Sequence, residues 1–425
     1  MPPSDMSPSA APRPAQAAPA DPSLSLFQLL DPSVHADPHP FYRRLREEAP
    51  VHWDPFMHTW VVTRYEDVHT VLHQFSADRT PNPDQMKALG LPSLGPVADV
   101  MAKQMLFLDA PAHTRLRKLC SSAFTPRRVE AMEEQIQEIA DTLIDAVIDR
   151  GQMDVIADFA EPFPAIVTAG LLGVPREDHG WLKAKSADFA EMLGNFQHNP
   201  DRVHRVLKSV AELTDYFRDA IRNHGDRPGL VRSLVEAEVD GNRLSEDEVI
   251  ANTIVTMVGG QETTTNLIGN GLLTLIRNPD KLAELRDEPH IIATAVEELL
   301  RFETPSQHTA RIAHADTEIG GRLIRKGEAV MAVMASGNRD PRRFADPDRL
   351  DLRRTENRHL AFGWAAHFCF GAALARMEAR IAFTTLLRRL DDLALASDRL
   401  EWRPNSGLRG LQALPITFRA VGAAA

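Results

Sequence analysis

The chain has 425 residues, a formal net charge of −11 and two cysteines. That length buries a large core, the acidic balance argues against nucleic acid as a partner, and two cysteines exclude a disulfide scaffold and suit a reducing cytosol.

Residues 1–22 are rich in Pro, Ala and Ser and lack an apolar run, which predicts a disordered tail. No signal peptide is visible, and no stretch reaches the roughly 18–20 apolar residues of a membrane span. A cytoplasmic location is expected. Residues 23–420 carry no linker or repeat and read as one domain, with 421–425 as a short tail. Strand signals at Val51–Trp53 and Trp60–Thr63 flank a turn. Helical patterns cover Arg128–Arg150, Arg202–Asn223, Ser245–Arg277, Pro289–Phe302 and Gly371–Leu390. Short strands Thr309–Ile312, Glu318–Ile319, Arg322–Ile324 and Ala329–Met334 read as a meander around Gly320-Gly321. Leu411–Phe418 reads as a last strand, in a hairpin with its upstream loop. The fold class is mainly α with a small β region.

The Ser245 helix opens on a capping box with Glu248. Into it falls Gly259-Gly260-Gln261-Glu262-Thr263-Thr264-Thr265. Each glycine costs about 1 kcal/mol in a helix interior, and the run predicts a local opening. Farther on, Glu298 and Arg301 share a helix face at i, i+3. Upstream, His113 and Arg117 do so at i, i+4 after Asp109-Ala110-Pro111. Taken alone, each of these reads as an ordinary solvated pair.

Cys369 is the informative residue. It lies in Phe362-Gly363-Trp364-Ala365-Ala366-His367-Phe368-Cys369-Phe370-Gly371, directly before a helix. A thiol at a helix N-terminus has its pKa lowered by the dipole and the free N–H groups. A cysteinate is a strong haem ligand that favours O–O cleavage. Zinc is the rival reading for His367 and Cys369, but no second Cys or His pair stands at metal-site spacing. Cys120 carries no mark of reactivity and reads as structural.

The pattern Phe-Gly-x-x-x-His-x-Cys-x-Gly resembles the haem-binding loop of the cytochrome P-450 family. Ala365 stands where that family usually has Gly; alanine fits there at negative φ, or at about 1 kcal/mol otherwise. The resemblance covers about residues 25–420 and implies the family's fold, with haem b between the long helix and the Cys-loop helix. It implies Cys369 as axial iron ligand, with Phe362 and Gly260 beside the cofactor. His113, Arg117, Arg311 and His367 are implied as propionate ligands. Thr263 is implied as the hydrogen-bonding partner of the oxygen being activated, and Glu262 as part of the proton route. Glu298, Arg301 and Arg349 are implied as a buried structural network.

The implied activity is a haem-thiolate monooxygenase that activates O2 and hydroxylates or epoxidises a lipophilic small molecule. The chain is similar to bacterial members that tailor polyketides and other secondary metabolites, so the substrate is expected to be of that kind, free or carrier-bound. No flavin or nicotinamide module is evident, so electrons are expected from a separate ferredoxin and its reductase. Arg115, Arg117, Lys118, Arg127, Arg128, Arg376 and Arg380 offer a docking face for an acidic partner. The substrate pocket is expected from about Thr80–Met105, Phe189–Asn199, Thr256–Gly260, Thr304–Thr309 and Leu408–Leu411. Val255, Met192, Leu193, Phe196, Leu408 and Leu411 supply apolar surface there, with Gln307, His308 and Arg409 as polar anchors. A peroxide-using or isomerising haem-thiolate enzyme, a non-catalytic haem or ligand carrier, and a haem-free helical protein stay open as alternatives.

Overall fold

The computed structural model describes residues 21–80, 94–193, 200–223 and 228–422. The expected N-terminal tail therefore lies almost wholly outside the described residues, as do Phe196 and much of the two upstream pocket segments. The described chain includes Asp21 and Pro22, which the sequence assigns to the tail. Asp21 accepts from the N–H of Ser23 and caps a short 3-10 turn at Pro22–Leu24.

Helices dominate. The longest, Glu246–Arg277, begins on the expected capping box: Glu248 N–H donates to Ser245 Oγ at 3.2 Å, and Ser245 N–H donates to Glu248 Oε2 at 2.9 Å. It stops at Asn278, immediately before Pro279, which cannot continue the hydrogen-bond ladder. Most of its length is buried, so it forms the spine of the core. The predicted opening at Gly259–Thr265 does not occur; the element is a continuous α-helix. Tertiary packing overrides the poor local propensity.

The Cys-loop helix, Ala372–Arg389, packs beside this spine. A Cβ on Gly271 would sit 2.5 Å from the Phe383 ring. Glycine there lets the two helices approach until Phe383 fills the space. The Arg128–Arg150 pattern is broken in the structure into Pro126–Glu130, Glu133–Asp145 and a 3-10 turn at Ile148–Arg150.

The β region also differs from a simple meander. Val51–Asp54 pairs antiparallel with Thr59–Val62, which runs parallel to Ala329–Ala332, and Thr309–Ile312 closes the other edge. Thr317–Ile319 and Arg322–Ile324 form a separate two-stranded hairpin. The last strand, Pro415–Ala420, pairs with Leu390–Leu395 and Gln152–Asp154, while the start of the expected Leu411–Phe418 stretch does meet its upstream loop, through a Trp402–Leu411 bridge and Gln412 N–H donating to Glu401 O at 2.8 Å. Periodicity marks a strand but not its partner, and here the partners are distant in sequence.

Candidate active site

The loop carrying Cys369 is held by backbone bonds. Cys369 N–H donates to Phe362 O at 2.8 Å, Gly363 N–H to Leu360 O at 2.9 Å, and Phe368 N–H to Ala365 O at 3.1 Å. Asn338 Oδ1 anchors the loop entrance by accepting from Leu360 N–H at 2.6 Å. Two residues take left-handed backbone: Gly363 at φ 69° and Ala365 at φ 56°. Ala365 therefore adopts the costlier of the two conformations open to it. Arg376 lies 4.5 Å over the Phe362 ring, and Arg117 lies 5.4 Å over Phe370.

The thiol of Cys369 departs from the expectation built on the helix N-terminus. Burial pushes its pKa up; the Gly371 N–H, Arg117 and Arg376 pull it down without overcoming the burial. Iron bound at this sulfur would favour the thiolate. Cys120, 1% exposed and pushed by burial to about 12, is structural as expected.

On the long helix, Val255, Thr256, Gly259, Gly260 and Thr263 keep accessible surface while the rest of that stretch is buried. Their spacing places them along one face, so this face borders an internal space. Thr263 Oγ donates to Gly259 O at 2.6 Å. Of the two glycines, Gly259 is the one with open space: a Cβ there meets nothing within 4 Å. A Cβ on Gly260 would lie 3.3 Å from Thr168 Oγ. Both glycines thus lie on the accessible face, Gly259 with open space beside it and Gly260 close to Thr168.

Glu262 is 5% exposed. Its carboxylate is ion-paired to Lys183 through Oε1 and to Arg403 Nη1 through Oε2 at 2.9 Å. Arg403 also pairs with Glu161. Neither cation was anticipated from sequence, since each comes from an element far along the chain.

A second group of residues converges from four segments. His113 and Arg311 are each 4% exposed, and the His113 and His367 rings lie 4.2 Å apart. Burial, followed by the charges of His113 and Arg311, lowers the pKa of His367 to about 3. Burial and Arg117 also lower that of His113. Both imidazoles are therefore neutral N–H donors near neutral pH. His113 Nε2 and Arg311 Nε are buried with no hydrogen-bond partner. Arg311 is brought down to about 10 by burial. Asp109 is the carboxylate that faces this group, and it already accepts from Ser76 Oγ and from Ala77 N–H at 2.9 Å. Donor-rich, anion-poor surroundings with orphaned nitrogens fit the two propionates of a haem. The accessible Cys369 and the cleared strip at Gly259 and Thr263 fit its two faces.

The structural network is only partly as expected. Arg301 and Glu298 are fully buried and doubly bonded, with Nε–Oε2 and Nη2–Oε1 both 2.8 Å. Arg349 is not in this network: its side chain is 63% exposed and pairs with Asp351 at 3.4 Å. The second arginine is Arg354, 9% exposed, with Nε 3.3 and 3.2 Å from the two Glu298 oxygens. The turn that ends at Arg349 points its side chain outward, while its carbonyl accepts from Arg354. Asn357 and the N–H of Asp351 complete the Glu298 shell.

Three of the seven cations expected to form a docking face are already neutralised within the chain. Arg115 pairs with Glu248, Lys118 with Asp240 at 2.6 Å, and Arg376 with Glu297 at 2.6 Å. Two expected substrate anchors are structural instead. Gln307 bonds Tyr42 and Thr304 O, and Arg409 pairs with Glu303 and lies 3.6 Å over Trp402. Leu411 belongs to the core, whereas Met192, Leu193 and Leu408 are partly buried against it. His308 is buried, and its pKa is lowered to about 4 by that burial. Among the described residues, no helix is long and apolar enough to cross a membrane.

A family model described as cytochrome P-450 matches residues 19–401. The chain is 37% identical over 388 residues to the biotin biosynthesis cytochrome P-450 of Bacillus subtilis (strain 168), covering 90% of this chain and 96% of that protein. It is 38% identical over 424 residues to the cytochrome P-450 monooxygenase PikC of Streptomyces venezuelae, covering 96% and 97%. Among solved structures, P450BioI in complex with a hexadec-9Z-enoic acid-ligated acyl carrier protein superposes with a TM-score of 0.86 at 36% identity. That match covers 91% of this chain and 99% of the other.

Proposed function

The chain belongs to the cytochrome P-450 family, and from that premise we propose that Cys369, Thr263 and Glu262 carry the chemistry of a haem-thiolate monooxygenase. The class of activity is that of its relatives: a monooxygenase using haem b. When bound, haem supplies the redox-active iron at which O2 is reduced and one oxygen atom is made available to the substrate.

The protein's own residues do the rest. Cys369 would hold the haem iron through its sulfur, its loop fixed by the Phe362 carbonyl and its thiolate favoured by Arg117, Arg376 and the Gly371 N–H. His113, Arg117, Arg311 and His367 hold the propionate edge. Thr263 presents a hydroxyl on the accessible face of the long helix, where it donates or relays a proton. Glu262 is the acid that recharges this hydroxyl. In the resting structure Lys183 and Arg403 hold its carboxylate aside. Release of that pair admits protons one at a time and keeps bulk water out. Phe362 shields the ligand loop, with Arg376 stacked on it. Glu298, Arg301 and Arg354 keep the supporting core in place.

The substrate we favour is a lipophilic secondary metabolite or acyl chain, presented free or on a carrier. The accessible apolar residues Val255, Met192, Leu193 and Leu408 support this. So do the polyketide biosynthesis cytochrome P-450 PksS of Bacillus subtilis (strain 168), 37% identical over 403 residues, and the P450BioI structure with an acyl carrier protein. Electrons come from a separate acidic ferredoxin and its reductase, for which Arg127, Arg128 and Arg380 stay free of ion pairs among the described residues. Two cysteines, both free, support a cytoplasmic location.

The geometry of the Cys369 loop carries this reading. The test is the carbon monoxide difference spectrum of the reduced protein and of Cys369→Ala. A strongly red-shifted Soret band in the wild type, absent in the variant, is the expected result. An identical band in both would remove Cys369 as ligand.

A further inference from the structure

One more cation, Arg79, lies beside Arg311 and His367. Arg79 follows the bridge that joins Ser76 to Ile312 at the edge of the four-stranded sheet. Its guanidinium donates to Ala77 O at 3.0 Å and to Leu106 O at 3.5 Å, and lies 4.5 Å over the Phe107 ring. No carboxylate among the described residues pairs with it. The charged group that acts on it is another cation, Arg311. Burial lowers its pKa to about 9. It nevertheless keeps accessible surface, and its charge acts on Arg311 and on His367 of the cysteine loop, which places it beside the group that faces the propionates.

Carbonyl oxygens satisfy N–H groups but do not cancel a charge, and a buried guanidinium without an anion is expensive to maintain. This wall of the site carries Arg311, His113 and His367 against one carboxylate, Asp109, which is already engaged by Ser76 and Ala77. With both imidazoles neutral, the guanidiniums of Arg79 and Arg311 still outnumber the one carboxylate, so this wall is built to receive negative charge. We infer that Arg79 is a carboxylate-binding residue on the wall of the cofactor cavity. A planar fork of donors, preorganised over Phe107, matches a carboxylate through two parallel bonds. Two carboxylates are able to reach this wall: a haem propionate, or the acid group of a substrate lying beside the haem. The inference rests on the haem-holding reading above.

The experiment uses holoprotein carrying Arg79→Gln or Arg79→Lys and reads two quantities. The first is the rate at which haem transfers to excess apomyoglobin. The second is the spin-state titration with myristate and with methyl myristate as probes. If the anion is a propionate, Arg79→Gln releases haem about ten-fold faster, Arg79→Lys releases it at an intermediate rate, and the choice between acid and ester is unchanged. If the anion belongs to the substrate, haem release is unchanged. The wild type then prefers the acid to the ester by about ten-fold, and Arg79→Gln loses that preference. If both readouts stay at wild-type values in both variants, the assignment is overturned. Should Arg79→Gln fail to retain haem, Arg79→Lys decides by the same two readouts. A wild type lacking the red-shifted thiolate band would sink the haem-thiolate reading. A wild type that shows the band, with both readouts unmoved by substitution, sinks only the role of Arg79.

Discussion

Ala365→Gly is expected to stabilise the cysteine loop. Ala365 sits at φ 56°, where an L-residue with a Cβ is disfavoured by about 1–2 kcal/mol. Glycine removes that penalty, because it takes positive φ without steric cost. It also gains freedom in the unfolded chain, which offsets about 0.4–1 kcal/mol. The net gain is about 0.5–1 kcal/mol. The neighbouring Gly363 supplies the opposite test. It has φ 69°, and a Cβ there would meet only His367 O at an ordinary 3.4 Å. Gly363→Ala should therefore lose about 0.5–1 kcal/mol through backbone strain rather than a clash. The assay is urea unfolding of the holoprotein followed at the Soret band, with the rate of conversion of the thiolate carbon monoxide complex to its unshifted form as a local readout. The expected order of stability is Ala365→Gly, wild type, Gly363→Ala. An Ala365→Gly midpoint at or below wild type would show that Ala365 stores no strain, and the argument from its backbone would fail.

Further expectations concern the network and the chemistry. Arg354→Ala leaves Glu298 with one partner fewer in a buried site, Arg301 still compensating its charge, and should cost about 1.5–3 kcal/mol. Arg349→Ala should change stability by less than about 0.5 kcal/mol; equal losses in urea unfolding would reverse the assignment of the second arginine. Thr263→Ala should keep haem and substrate binding but divert electrons to peroxide, seen as NADPH consumption outrunning product; full coupling would take Thr263 out of proton delivery. Burial alone would raise the pKa of Glu297, but hydrogen bonds from Arg376 and His359 hold it down at about 2. A carboxyl lowered on folding stabilises the fold above its unfolded pKa near 4.5 and loses that contribution as pH falls towards 2. The stability gap between wild type and Glu297→Gln should hold from pH 7 to about 5 and shrink below that. A gap independent of pH across this range would contradict the pairing.

Some of this protein is written in short stretches of sequence. The capping box of the long helix, the helical periodicity around it, and the spacing of Phe362, His367 and Cys369 are local features. Each depends on residues within a few turns of one another, so composition and order determine them. The pairing of Glu298 with Arg301 is legible for the same reason, because i, i+3 neighbours share a helix face. The choice of Arg354 over Arg349 was not, since it depends on how a turn aims two side chains. Nor were Lys183 and Arg403 around Glu262, or the isolation of Arg79 beside Arg311. These meet across scores or hundreds of residues, and no periodicity links them. The pairing of the last strand with Leu390–Leu395 and Gln152–Asp154 is of the same kind. Whether Ala365 is relaxed or strained is also beyond sequence, because φ there is imposed by the closing bonds of the loop. Local order thus determined the cysteine loop and the helices that frame it, while burial and long-range packing decided which charges are paired, which stay free and which backbone carries strain.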